Sequence, residues 1–281
     1  MKNLLHISLI MIVFSLFSCS NNENKEEASI IPDGDKKIDR EAVEDANLSM
    51  HEAMFYEQLS GNKVVCELCP ETCLLKDGEI GNCRVRANVE GKLRSLVYSR
   101  PVTMQVDPIE KKPFFHFYPE TKTLSVATVG CNLHCVNCQN ANISQKSPFN
   151  LNEVHKIPPK SLVEIAKKKN SEIISYTYND PTVFYEYVLE TSKLAHKEGI
   201  KNAIVTAAYI NPEPARKLSK YIDAATIDIK GMSDEFYKRF NEGELKPVLK
   251  AIEIMKEEGV WVEISYLMIP GENDSPSDIK K

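Results

Sequence analysis

The sequence predicts an α/β fold: a partial, barrel-like (β/α) sheet of parallel strands preceded by a small Cys-rich extension. Three observations lead there. From Thr123 onward, short apolar runs alternate with helix-length amphipathic stretches, the pattern of right-handed βαβ units. Proline opens and glycine closes these helical stretches, as with Pro181 and Gly199, the expected asymmetry of helix ends. The cysteines beyond residue 19 fall into two tight groups with metal-ligand spacing.

Composition sets the outer bounds. The chain has 281 residues, 42% of them hydrophobic, which permits a sizeable core. Its net charge is -5 and no stretch is densely basic, which excludes the nucleic-acid-binding class.

Residues 1–19 read as a lipoprotein signal peptide. Lys2 supplies a thin positive end, and Leu4 to Phe17 is an apolar run too short to span a bilayer. The run ends Leu16-Phe17-Ser18-Cys19, a lipobox-like sequence in which Cys19 would be lipidated; a plain signal peptide with an incidental Cys is the alternative. Residues 20–60, rich in Asn, Glu, Lys and Asp at their start, read as a disordered tether with too little apolar surface to offset ordering entropy. The expected location is a bacterial envelope membrane, reached through the lipid anchor.

Residues 61–120 read as the Cys-rich extension. Cys66, Cys69, Cys73 and Cys83 stand in a C-x2-C-x3-C-x9-C pattern, with Gly78, Gly81 and Asn82 as turn residues. Four thiolates can close one site for zinc or a second iron–sulfur cluster. In an exported protein a disulfide-bonded knuckle is the alternative, although seven cysteines after Cys19 would leave one over.

Residues 121–281 carry the predicted core. Strands are expected at Leu124–Val129, Glu172–Tyr178, Asn202–Ala207, Ala225–Ile229 and Val260–Ile269, with helices from Ser161, Pro181, Pro212 and Leu245. Apolar runs without strict alternation predict strands covered on both faces. In such folds function gathers at the C-terminal ends of the strands, and the first predicted strand runs directly into Gly130 and Cys131. Cys131, Cys135 and Cys138 form a C-x3-C-x2-C loop. Three thiolates can hold three irons of a cubane and leave the fourth open, whereas such clusters are usually held by four. A zinc site completed by His134 is the alternative. His134 sits between two of the cysteines, however, where facing the same ion would strain the loop.

Taken in order, DPIEKKPFFHF (107–117), VGCNLHCVNCQN (129–140), YTYNDPT (176–182), IDIKG (227–231) and LMIPGENDS (267–275) resemble the radical SAM superfamily. The similarity is to the radical SAM enzymes of the AmmeMemoRadiSam system, themselves similar to pyruvate formate-lyase activating enzymes. This resemblance implies a partial TIM-like barrel of the radical SAM type. It implies a [4Fe–4S] cluster on Cys131, Cys135 and Cys138, with S-adenosylmethionine (SAM) on the open iron. Reductive cleavage would yield a 5′-deoxyadenosyl radical for hydrogen abstraction. Asn179 and Asp180 would lie near the SAM amino group, and Asp228 and Lys230 would support SAM, Lys230 by pairing with its carboxylate. The residue-level alternatives are a helix N-cap for Asn179–Asp180 and a surface ion pair for Asp228–Lys230. Asn137 stands where relatives carry an aromatic residue, and Ala208 where they often carry glycine. Relatives continue past a sixth strand, so the chain reads as C-terminally truncated.

Two functions follow. The first is a radical SAM enzyme that draws on a reductant such as flavodoxin or ferredoxin and activates a protein substrate. The second is a non-catalytic, truncated lipoprotein that binds iron–sulfur or zinc. Export conflicts with the first, because SAM and electrons would be needed outside the cytoplasm. His116, His134 and His196 receive no role.

Overall fold

A computed structural model describes residues 37–280; Cys19, the signal sequence and the first part of the expected tether lie outside the described residues. The extension holds helix α1 (Arg40–Asp45) and strands β1 (His51–Glu52), β2 (Tyr56–Leu59), β3 (Lys63–Cys66), β4 (Leu74–Leu75), β5 (Arg86–Val89) and β6 (Lys92–Ser95). They form two small antiparallel sheets, ordered β2-β3-β4 and β1-β6-β5. The β5–β6 hairpin turns through Glu90 and Gly91, both at positive φ, the backbone that a two-residue hairpin requires.

The core begins with β7 (Thr103–Pro108) and β8 (Lys122–Ala127), followed by α2 (Ala141–Ser144), α3 (Pro159–Lys168), β9 (Ile173–Tyr176) and α4 (Tyr185–Lys197). Then come β10 (Lys201–Thr206), α5 (Pro212–Ser219), β11 (Ala224–Ile229), α6 (Asp234–Phe240), α7 (Leu245–Glu257), β12 (Trp261–Tyr266) and α8 (Pro276–Ile279). The sheet order is β12-β11-β10-β9-β8-β7. Strands β8 to β12 are parallel neighbours in chain order, and β7 pairs antiparallel with β8. The sheet stays open, as expected of a partial barrel. Helices pack along one face, α3 against α4 and α5 against α7. None of the described helices is long and apolar enough to cross a membrane.

Two expectations are corrected. Residues 37–60 are not a tether. They supply α1, β1 and β2, and Ile38, Val43 and Leu48 are buried with Ala87, Val89 and Leu96 in a core of their own. Those few apolar side chains sit among many charges, which is why composition alone misreads the segment. The extension also ends before residue 120. Thr103–Pro108 joins the main sheet, and Ile109, Phe114 and Phe117 pack with Ile173, Ala203 and Ala224 near the N-terminal ends of the strands.

Strands β8 to β11 are covered on both faces, as expected, but only one of those faces is predominantly apolar. Leu124, Val126, Ile174, Tyr176, Ile204 and Ile227 belong to the main core. Thr123, Ser125, Ser175, Ala203, Ala224 and Thr226 are also buried, but are small or polar. Polar pairs satisfy this layer, with the Thr123 and Ser175 hydroxyls 2.7 Å apart, as buried polar atoms require.

Candidate functional site

Strand β8 leads within three residues to Gly130, which has φ +86 and no room for a side chain. A Cβ there would meet the Cys83 carbonyl oxygen and a Val85 methyl, each at 2.5 Å. Glycine therefore serves both the left-handed backbone and the close approach to the extension. The loop that follows is tied down by its backbone. The Gly130 amide donates to the Ile143 carbonyl (3.0 Å), that of His134 to Asn241 (2.9 Å) and that of Val136 to Phe240 (3.0 Å). Asn241 Nδ2 also donates to Cys135 Sγ at 3.0 Å, and Cys138 Sγ lies 3.2 Å from Ser144 Oγ.

Cys131, Cys135 and Cys138 all line one cavity of about 570 Å³, open at the C-terminal ends of the parallel strands. His134 is not in its lining. Its ring nitrogens lie 3.2 Å from the Asn82 carbonyl and 3.2 Å from Glu242. Burial, with Asp180 nearby, pushes the Cys131 thiol up to about 12, so a metal must displace its proton on binding. Among the described residues, no three His, Cys, Asp or Glu side chains already converge on a single ion position. The donor set, three thiols on one loop facing open space, fits a cluster with one free position.

The other predicted residues reach the same cavity. Asp228 and Lys230, at the end of β11, form an ion pair of 3.1 Å, so the pair borders the cavity rather than decorating an outer face. Asn179 and Asp180 also line it, but both are buried and use their hydrogen bonds on the protein. Asn179 Nδ2 donates to the Gly130 and Val129 carbonyls at 2.8 and 3.3 Å, and its Oδ1 accepts from the Thr128 amide at 3.3 Å. It braces the base of the Cys loop. Asp180 accepts from the Thr182 amide (2.9 Å), the Thr206 hydroxyl (2.9 Å) and the Ala207 amide (2.8 Å). It is both the cap before Pro181 and a tie from β9 to β10. Asn137 is on the cavity wall as well, and Ala208 holds φ +55 in a fully buried position, where an L-residue is strained.

Cys66, Cys69, Cys73 and Cys83 gather around a second, small cavity of about 20 Å³. All seven described cysteines are unbridged, so the knuckle has no disulfide.

Sequence reasoning gave no role to Asp107, Lys112 and Tyr178. Lys112 is buried, and its Nζ lies 2.8 Å from both Asp107 Oδ2 and Tyr178 Oη. The Tyr178 hydroxyl donates to Asp107 at 2.8 Å. Lys112 and Tyr178 line the main cavity. The signal was present in the DPIEKKPFFHF segment, but nothing in it announced a partner 66 residues away.

This network makes acid stability testable. Burial alone would raise the Asp107 carboxyl, yet hydrogen bonds from Lys111, Lys112, Tyr178 and Ser125 hold it well below the usual carboxylate range. A depressed folded-state value means stabilisation that is complete above about pH 4, the unfolded-state value, and lost as pH falls further. Asp107→Asn is therefore expected to destabilise the protein most at neutral pH. Its deficit against the parent should shrink as melts are repeated from about pH 4 down to about pH 2. A deficit constant across that range would refute the charged role of Asp107.

Known proteins resemble the chain over much of its length. Residues 125–280, more than half the chain, match the radical SAM superfamily. An uncharacterized protein of Methanocaldococcus jannaschii is 44% identical over 230 residues, covering 82% of this chain and 68% of that protein. The 4-hydroxyphenylacetate decarboxylase activating enzyme of Clostridium scatologenes is 31% identical over 111 residues, covering 38% of this chain and 35% of the enzyme. Among solved structures, Streptococcus suis SuiB bound to its precursor peptide SuiA is similar at 19% identity and TM-score 0.43, over 54% of this chain and 33% of that one. A radical SAM methyltransferase from Sphaerobacter thermophilus is similar at 16% identity and TM-score 0.43, over 58% of this chain and 52% of that one. The chain thus spans about two thirds of its archaeal relative and only a third to a half of these other proteins. On the family match, the chain belongs to the radical SAM superfamily, whose shared chemistry is cleavage of SAM at a [4Fe–4S] cluster.

Proposed function

We propose that Cys131, Cys135 and Cys138 hold the cluster in the main cavity, and that Lys230, set by Asp228, pairs with the SAM carboxylate beside it. The observation that carries this reading is the meeting of three loop thiols and the Asp228–Lys230 pair on one cavity at the strand C-termini. When bound, the cluster supplies the electron that cleaves SAM to methionine and a 5′-deoxyadenosyl radical. The protein's own part is positioning. Asn179 holds the base of the Cys loop, Asn241 holds Cys135, and Asp180 keeps the ends of β9 and β10 together.

The substrate is proposed to be a residue of a partner protein, with a flavodoxin or ferredoxin as reductant. The segment similar to an activating enzyme supports a protein substrate. Lipidation at Cys19 and an envelope location remain part of the proposal, carried by the lipobox-like sequence. The non-catalytic alternative makes the opposite spectroscopic prediction. In the test, residues 20–281 are reconstituted with iron and sulfide without oxygen, reduced, and recorded by electron paramagnetic resonance with and without SAM. A [4Fe–4S]⁺ signal that changes on adding SAM is expected. No cluster signal, or one indifferent to SAM, would leave only the non-catalytic reading.

A further inference from the structure

We propose that Cys66, Cys69, Cys73 and Cys83 form a closed, tetrahedral zinc site that locks the extension against the Cys131–Cys138 loop. The four residues come from the end of β3, the turn after it, the approach to β4 and the turn before β5, yet all line one cavity. Local backbone bonds shape this knuckle. The Cys66 amide donates to the Cys73 carbonyl (3.0 Å), Thr72 to Cys69 (3.2 Å) and Gly81 to Arg86 (2.8 Å).

The cavity that the thiols share is small, about 20 Å³, and four thiolates around one ion complete a tetrahedral shell. With four thiolates and no open position, the site matches structural zinc rather than a catalytic centre.

An unpartnered donor supports a metal over a merely apolar nest of thiols. Arg86 and Asn132 both line the cavity and are only 2% exposed, and Arg86 Nε has no hydrogen-bond partner. A buried N–H donor without an acceptor is costly, and a metal-bound thiolate would supply the acceptor for Arg86. Asn132 adjoins Cys131, and its Nδ2 donates to the Tyr209 carbonyl at 2.6 Å. The site therefore lies directly behind the proposed cluster loop.

The test uses the full chain carrying Cys131→Ala, Cys135→Ala and Cys138→Ala, so that no cluster contributes metal. Mass spectrometry of metals is expected to find one zinc per chain, and zinc-edge X-ray absorption a shell of four sulfurs at about 2.3 Å. Adding Cys83→Ser should cut the zinc content about tenfold, whereas Cys19→Ser should leave it unchanged. Zinc below about a tenth per chain, stoichiometric iron in its place, or a nitrogen and oxygen shell would overturn the proposal. The absorption measurement keeps all four thiols, so misfolding of the Cys83 variant does not decide the outcome. Because the loop cysteines are absent, failure here is distinct from failure of the SAM-cleaving reading, which the unaltered loop tests.

Discussion

Arg86→Met is expected to destabilise the protein by about 3–5 kcal/mol, the usual cost of stranding one member of a buried ion pair. Thermal melts should show the midpoint falling by roughly 10 °C, given the size of the folded unit. The side chains of Arg86 and Glu186 are 2% and 1% exposed. Arg86 Nη1 donates to the two Glu186 oxygens at 3.0 and 3.1 Å, and Nη2 donates to the Met54 carbonyl at 2.6 Å. Glu186 Oε1 also accepts from the Met54 amide at 2.7 Å. Methionine can fill the space but leaves a carboxylate facing the interior with that amide alone. Most of the cost is the stranded charge rather than the lost contact, so the double variant Arg86→Met/Glu186→Leu should recover about half of the deficit or more. A single variant melting within about 2 °C of the parent would show that Glu186 relaxes to water, against its observed burial.

Cys135→Ala carries the largest expected effect on activity, a fall in SAM cleavage to the detection limit, with a melting temperature close to that of the parent apoprotein. The two consequences separate because the thiol does little for the fold. Cys135 is half-buried and receives one hydrogen bond, from Asn241, so losing it is worth about 1 kcal/mol. Removing one of three thiolates leaves two irons of a cubane without protein ligands, and neither Asn241 nor His134 can substitute. The measurements are iron content after anaerobic reconstitution and 5′-deoxyadenosine released from SAM under reduction. Retention of a tenth or more of the parental turnover would mean that Cys135 is not a ligand. Lys230→Ala makes a graded comparison, since it leaves the thiols intact and removes only a charge beside them.

The core was largely legible because its signals are local. Proline and glycine mark the ends of α4, and apolar runs identify β8 to β12 to within a few residues. The Cys loop stood out by its spacing, which left zinc open, and the structure adds that its three thiols line one cavity. What escaped depends on contacts distant in sequence. Strand β7 has exposed Gln105 and Val106 and a buried Asp107, so neither alternation nor apolar density announces it; its identity comes from pairing with β8. Residues 37–60 look like solvated chain because Ile38, Val43 and Leu48 find their partners only across the extension. For Asn179 and Asp180 the sequence offered a place near SAM or a helix cap, and the structure adds that they hold Gly130 and Ala207.

The contact at Gly130 bears on how such a chain can be cut or recombined. The extension and the barrel segment meet through a backbone-to-backbone approach with no room for a methyl group, and through the charge pair of Arg86 and Glu186. Neither half offers a self-sufficient surface to the other. A barrel trimmed of its first hundred residues would present Glu186 bare. A chimera carrying a foreign knuckle would have to match both the charge and the close approach at Gly130. The two parts are therefore a single heritable unit, and swaps between relatives should be tolerated only when the junction residues travel together.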